Sequence, residues 1–311
     1  MTTALYSHDD CLGHVTPPGH PERVARLESV MARLDGPGFA ALDRRAAPEA
    51  DRAALVALHG ADHVAAMERA IPDHGFATLD GDTFASPGTM GAARRAAGGA
   101  IAAVDAVIAG EAANAFVAAR PPGHHAEREQ AMGFCLFGNV ALAARRALDH
   151  HGLSRVAIAD FDVHHGNGTQ DLIRDEGRVL FASTHQMPLF PGTGARTERG
   201  AHDNVLNLPL AAGTDGPAWR RLVEEELLPA LDAFAPDLVL VSAGFDAHRA
   251  DPLGGIDLET ADFAWITGRL MEIADAHAGG RLVSCLEGGY DLEALAESAA
   301  AHVTTLMGRG R

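Results

Sequence analysis

Lysine is absent from the 311-residue chain, so all 25 cations are arginine; against 42 aspartates and glutamates they leave a formal net charge of −17. So acidic a balance lacks the basic footprint needed to displace the counterions of a nucleic acid, and no nucleic-acid partner is expected. A solvated acidic surface is the plain reading of the excess, with a cationic ligand or a basic partner segment as the alternative. Cysteine is scarce: Cys11, Cys135 and Cys285 stand far apart, with no Cys-x-x-Cys. That excludes a disulfide framework or a zinc knuckle and reads as three reduced core thiols. Long apolar runs are missing as well. The alanine-rich stretch 92–119 is broken by Arg94, Arg95, Asp105 and Glu111, a helix and a strand rather than a membrane span. Residues 1–10 show no basic stretch followed by an apolar one, and no lipidation signal is visible, so a cytoplasmic protein with no membrane partner is expected.

What is present is enough to fold. Hydrophobic residues make up 47% of the chain and charged residues 22%, too much apolar surface for a disordered state. Short apolar runs at 5–8, 115–119, 156–163, 179–185, 238–245 and 282–287 read as strands. Helical patterns occupy 21–34, 61–71, 88–109, 139–151, 219–234, 258–277 and 292–307. This alternation predicts a single α/β domain over residues 1–311, with an open, mostly parallel sheet and helices on both faces. No tandem repeat or low-complexity linker divides it. Two long irregular stretches, 120–137 and 186–204, are candidates for functional loops.

Metal-capable and titratable residues follow four of the strands. The run at 117–119 leads into Arg120-Pro-Pro-Gly-His124-His125. The next ends in Asp160-Phe-Asp162-Val-His164-His165-Gly-Asn167, a third in Ala-Gly-Phe-Asp246, and the last in Glu287-Gly-Gly-Tyr290. In a parallel sheet this is the edge where ligands bind. Strand alternation would project Asp160, Asp162 and His164 to one side and Phe161, Val163 and His165 to the other. Asp162, His164 and Asp246 could then hold one divalent cation and leave a position open for water, the pattern of a catalytic zinc site. Their oxygen-rich character also admits Fe(II) or Mn(II). His124 and His125 suit proton transfer, with Asp160 and Asn167 as partners that fix each ring. By contrast, His150-His151 before Gly152 reads as a cationic helix end with its cap. Tyr290 can donate to an oxygen as negative charge develops. Phe134 and Phe190 either wall a narrow apolar slot or anchor their loops.

These motifs resemble those of the zinc-dependent histone deacetylases, within the arginase–deacetylase superfamily. Arg-Pro-Pro-Gly-His-His-Ala (120–126), Asp-Phe-Asp-Val-His-His-Gly-Asn-Gly-Thr-Gln (160–170), Ser-Ala-Gly-Phe-Asp-Ala (242–247) and Leu-Glu-Gly-Gly-Tyr (286–290) are similar to the class II branch. His20-Pro-Glu-Arg23 and Phe190-Pro-Gly-Thr-Gly fit as well. The resemblance implies an eight-stranded sheet, zinc on Asp162, His164 and Asp246, proton transfer by His124 and His125 paired with Asp160 and Asn167, and Tyr290 polarising the acyl carbonyl. It places Phe134, Phe190, Leu253, Gly133 and Gly288 along the substrate tunnel, and Asp82 at a rim position that grips substrate backbone. It further implies a structural potassium ion on backbone oxygens of Asp160, Asp162, His164 and Thr184 with the side chains of Asp160 and Ser183. Asn167 stands where class I members carry aspartate. Leu253 stands where the polyamine-specific branch carries an acidic residue.

The implied activity is removal of acetyl or other acyl groups from lysine side chains or similar amines. An acetylpolyamine or other small-molecule deacylase is the nearest alternative. A two-metal arginase-type enzyme and a catalytically weak acyl-lysine-binding scaffold are further ones. The sequence leaves a homo-oligomer open.

Overall fold

The computed structural model describes residues 2–308. Its chain order is β1 (Thr3–Ser7), α1 (Val24–Leu34), β2 (Asp43–Ala46), α2 (Arg52–His59), α3 (Ala61–Ala70), β3 (Ala77–Thr78), β4 (Phe84–Ala85), α4 (Thr89–Ile108) and β5 (Asn114–Val117). There follow α5 (Asn139–Asp149), β6 (Val156–Asp160), α6 (Asn167–Ile173), β7 (Val179–Gln186), β8 (Val205–Leu210), α7 (Gly216–Leu222) and α8 (Leu228–Phe234). The chain closes with β9 (Leu238–Ala243), α9 (Thr260–His277), β10 (Leu282–Leu286) and α10 (Leu292–Met307).

Every residue of β5, β6, β7, β9 and β10 is buried, which a strand with one wet face would not allow. Two helix groups account for this. On one side α4 packs on α5, and the two contact β1, β5, β6, β9 and β10; in the other group α1, α9 and α10 pack together, with α9 on β9 and α10 on β5. Eight strands form one sheet in the order β2-β1-β5-β10-β9-β6-β7-β8, and every pair in it is parallel. The expected α/β architecture is observed, and the sheet is wholly parallel. β3 and β4 pair antiparallel, outside it. Among the described residues no helix is long and apolar enough to cross a membrane.

The two outermost strands carry no sequence signal of the expected kind. β2 is Asp-Arg-Arg-Ala, and β8 contains Pro209. Charge and proline are tolerated at a sheet edge, where one side of the ladder faces outward. The run 156–163 is shorter as a strand than its composition suggests. It ends at Asp160 because aspartate side chains capture the next amides: Asp162 N donates to Asp160 Oδ1 at 3.1 Å and His164 N to Asp162 Oδ1 at 2.9 Å. Such local bonds compete with the ladder and turn the chain. The helix expected over 219–234 is α7 and α8 joined by a wider π turn at Val223–Leu227.

Candidate active site

Register assembles the site. Val117 lies beside Cys285, Cys285 beside Ser242, Ser242 beside Asp160, and Asp160 beside Ser183. The carboxyl ends of β5, β10, β9, β6 and β7 are therefore level, and the loops leaving them meet at one edge.

Asp162 and Asp246 come from two of these loops, and neither side chain is exposed to solvent. Backbone amides fix both: Asp162 Oδ2 accepts from Gly288 N at 2.8 Å and its Oδ1 from His164 N at 2.9 Å, while Asp246 Oδ1 accepts from Val163 N at 2.8 Å. Asp162 Oδ1 and Asp246 Oδ2 face the His164 ring, whose Nδ1 is 3.1 Å from both. A side chain on Gly244 would overlap Asp162, and one on Gly288 would overlap both carboxylates, so glycine is required at each position. Burial works against ionisation of Asp162, yet the imidazoles of His124 and His164 hold it below the usual carboxylate range. Burial and the charge of Asp162 push Asp246 the other way, up to about 7. Two buried carboxylates facing one another need a positive charge between them. Their inner oxygens and the imidazole nitrogen all lie within 4.8 Å of one another, and among the described residues no other group of His, Cys, Asp and Glu does this. The donor set fits one divalent cation. It arises from a turn, not from strand alternation, which is why Asp160 does not belong to it.

Asp160 instead accepts from His124 Nδ1 at 3.0 Å, while His125 Nδ1 lies 2.7 Å from Asn167 Oδ1. The two adjacent imidazoles are driven apart. Burial disfavours a charged His124, but Asp162, Asp160 and Glu287 outweigh it and raise His124 well above an ordinary histidine. Burial and the neighbouring His124 and His164 lower His125 well below that range. His165 points away, with Nδ1 2.8 Å from Thr193 Oγ1 and Nε2 3.0 Å from Gln170 Oε1. His150 and His151 follow α5, and His151 Nε2 is 2.6 Å from Asp105, remote from the site as expected.

Tyr290 is held by groups the sequence reading did not single out. Arg26, fully buried in α1, donates to the carbonyls of Glu287 and Gly289 and to Glu22 Oε1, and its guanidinium stacks on the Tyr290 ring. Glu22 also receives a two-pronged ion pair from Arg120. Burial opposes the Glu22 charge, but Arg120 and His14 hold it well below the usual range. Asp251 Oδ2 accepts from Tyr290 N at 2.6 Å. Glu287 Oε2 accepts from Gly123 N at 2.7 Å and from His124 N at 3.1 Å, tying the last loop to the histidine loop. Only pairing in space reveals these roles; the hints in the chain were the spacing of Glu22 and Arg26 by four residues and the place of Glu22 and Glu287 within the motifs at 20–23 and 286–290. Burial raises the Tyr290 phenol well above its usual value, so it stays a donor.

A cavity of about 450 Å³ opens onto this floor. His125, His164 and Tyr290 lie within it, with Gly133, Phe134, Phe190, Leu253 and Asp82 along its wall and mouth. Phe134 and Phe190 thus wall the slot. Gly133 has a φ of +54°, and a side chain there would overlap the His125 ring. Gly288, expected along the tunnel, lies against the metal-capable carboxylates: its N–H donates to Asp162 Oδ2, and a side chain there would meet Asp162 and Asp246. Ser183 Oγ lies 2.8 Å from His185 Nδ1, and Thr184 Oγ1 accepts from Trp219 Nε1 at 3.1 Å.

A family model described as "Histone deacetylase domain" matches residues 20–306. The chain is 44% identical over 287 residues to the "Histone deacetylase-like amidohydrolase" of Pseudomonas aeruginosa, covering 89% of this chain and 75% of that one. It is 38% identical over 324 residues to "Histone deacetylase 10, chloroplastic" of Oryza sativa subsp. japonica, covering 98% and 73%. The crystal structure of the HDA15 HD domain superposes with a TM-score of 0.94 at 35% identity, covering 99% of this chain and 88% of that one. With its motifs gathered at one sheet edge and the match running nearly from end to end, the chain belongs to the histone deacetylase family.

Proposed function

We propose that this protein is a zinc-dependent amidohydrolase that removes acetyl or other acyl groups from lysine side chains or similar amines. Hydrolysis of amide bonds in acylated amines follows from the family; the metal, the residue roles and the substrate are proposed. One observation carries it: the buried Asp162–His164–Asp246 group meets a cavity lined by His164, His125 and Tyr290, with the His124 ring packed 4.0 Å from that of His125.

Asp162, His164 and Asp246 would hold the ion. A bound zinc ion would supply Lewis acidity toward the acyl oxygen and an acidified water near neutral pH. Neutral His125 takes the proton of the attacking water. Tyr290 donates to the acyl oxygen as it becomes negative, and protonated His124 adds positive charge beside it. The imidazolium formed on His125 returns its proton to the departing amine, releasing a carboxylate and a free amine. Phe134 and Phe190 exclude water along the alkyl stem of the substrate. A structural potassium ion on the oxygens of Asp160, Asp162, His164, Ser183 and Thr184 belongs to the same proposal; Asp160 and Ser183 lie side by side in β6 and β7.

Leu253 gives the wall an apolar side chain, which favours a lysine-like stem over a polyamine carrying further charges. Tyr290 weighs against a scaffold without turnover. Metal analysis and a panel of acyl amines on one preparation test the reading. One zinc per chain and faster turnover of an acetyl-lysine peptide than of acetylspermidine are expected. Two divalent ions per chain, or no turnover of any acyl amine by the zinc-loaded protein, would overturn it.

A further inference from the structure

Asn167 is an amide wedged between His125 and a carboxylate that the proposed mechanism does not use. Its Oδ1 is 2.7 Å from His125 Nδ1, and its Nδ2 is 2.7 Å from Glu127 Oε1. Met132 Sδ also accepts from Nδ2, at 3.3 Å. Asn167 is 4% exposed, so water has little access to substitute for these partners.

An asparagine amide can be turned end for end with little change in shape, and only its neighbours decide which end points where. A carboxylate can only accept. Glu127 therefore demands the nitrogen of Asn167 and sends its oxygen toward His125. That oxygen in turn demands a proton on His125 Nδ1, which leaves Nε2 of the neutral ring as the acceptor. Were the amide reversed, its N–H would face Nδ1, the proton would move to Nε2, and the ring would lose its basic nitrogen. An aspartate at this position would accept in either orientation and need no such guide.

We infer that Glu127 is a positioning residue for the reaction: it sets the orientation of the Asn167 amide and thereby the tautomer in which His125 can act as base. The inference rests on the deacylase reading above. The backbone holds Glu127 in place. Its carbonyl accepts from His59 Nδ1 at 3.1 Å, its N–H donates to Gln130 O at 2.9 Å, and His59 Nε2 accepts from Gly138 N at 2.9 Å. His59 thereby clips together both ends of the loop that carries Phe134.

The test uses full-length zinc-loaded protein and the variants E127A, E127Q, N167D and N167D/E127A. E127A should lower kcat about 10- to 100-fold with KM held within about twofold, the size of loss seen when an outer partner of a site histidine is removed. Its metal content and melting temperature should match wild type. E127Q, which can still accept through Oε1, should recover most of the lost kcat. In the N167D background the E127A effect should vanish. Nitrogen-15 spectra of the imidazoles, with His125 assigned through its own substitution, should show the Nδ1–H form in wild type and N167D/E127A and a mixture in E127A. Wild-type kcat in E127A, an equal loss in the N167D background, or an unchanged His125 tautomer in E127A would each overturn the inference. Should no acyl amine turn over in wild type, the deacylase reading fails, while the imidazole spectra still decide what Glu127 does to His125.

Discussion

The guanidinium of Arg26 lies 4.8 Å above the ring centre of Tyr290 and donates to the carbonyls on either side of Gly288, those of Glu287 and Gly289. One planar cation from α1 thus fixes the ring and the backbone of a loop more than 260 residues away in the chain. The flexible glycine pair before Tyr290 is made rigid from outside.

Arg26→Lys should therefore fold and lose turnover. A lysine keeps the charge but not the planar fork that spans both carbonyls. Displacement of Tyr290 by about 1 Å would lower kcat by about 10- to 100-fold. Steady-state kinetics with a melting curve check this, and full kcat in a stable variant would remove Arg26 from the support of Tyr290.

Tyr290→Phe removes only the hydroxyl. Loss of one oxyanion donor costs on the order of 10²–10³ in kcat. KM and zinc content should be retained, as read by kinetics and metal analysis.

The metal assignment separates neighbours along the chain. Asp246→Asn should abolish tight zinc binding, whereas His165→Ala, whose native ring faces Thr193 and Gln170, should retain it. Chelation should stop turnover and lower the melting temperature of wild type. Zinc at 100 times its dissociation constant stabilises by about 2.7 kcal/mol, so Asp246→Asn should show no zinc-dependent shift.

His302 gives a pH signature far from the metal. It is fully buried in α10, between Thr267 Oγ1 at 2.6 Å and Ser284 Oγ at 2.8 Å, and burial lowers it to about 3. The unfolded chain binds its proton near pH 6.5 and the folded chain does not, so this contribution to stability is present above pH 6.5 and is lost as pH falls toward 3. Between pH 7 and pH 5 wild type should lose about 2 kcal/mol relative to His302→Gln. Urea unfolding of both proteins at the two pH values measures the difference, and parallel pH curves would contradict the assignment.

Leu253 lines the cavity with its amide tied to Asp251. Leu253→Glu should raise the ratio of kcat/KM for acetylspermidine over an acetyl-lysine peptide, because a carboxylate on the wall attracts the extra ammonium groups. Competition assays with both substrates report this ratio.

The central strands, the helices that cover them and the residues Asp162, His164, Asp246, His124, His125 and Tyr290 were legible in the chain. A strand buried on both faces must be apolar throughout, and polar residues that punctuate its end have no packing reason to be there. The edge strands β2 and β8 were not, because an edge tolerates charge and proline and leaves no apolar trace. The turn after Asp160 was hidden for a related reason: an aspartate that bends the chain and one that continues a strand are the same letter.

Composition and local pattern, then, were enough to determine a parallel α/β sheet and the kinds of side chain at its carboxyl edge, since both depend on burial and on neighbours along the chain. The parallel register alone decided that loops from four strands meet over one cavity. It also decided that Gly288 lies against the carboxylates, and that Glu22, Arg26, Asp251 and Glu127 hold the acting groups in place. Those pairings join residues far apart in sequence, and hydrogen-bond distance between them exists only after the sheet has brought their backbones together.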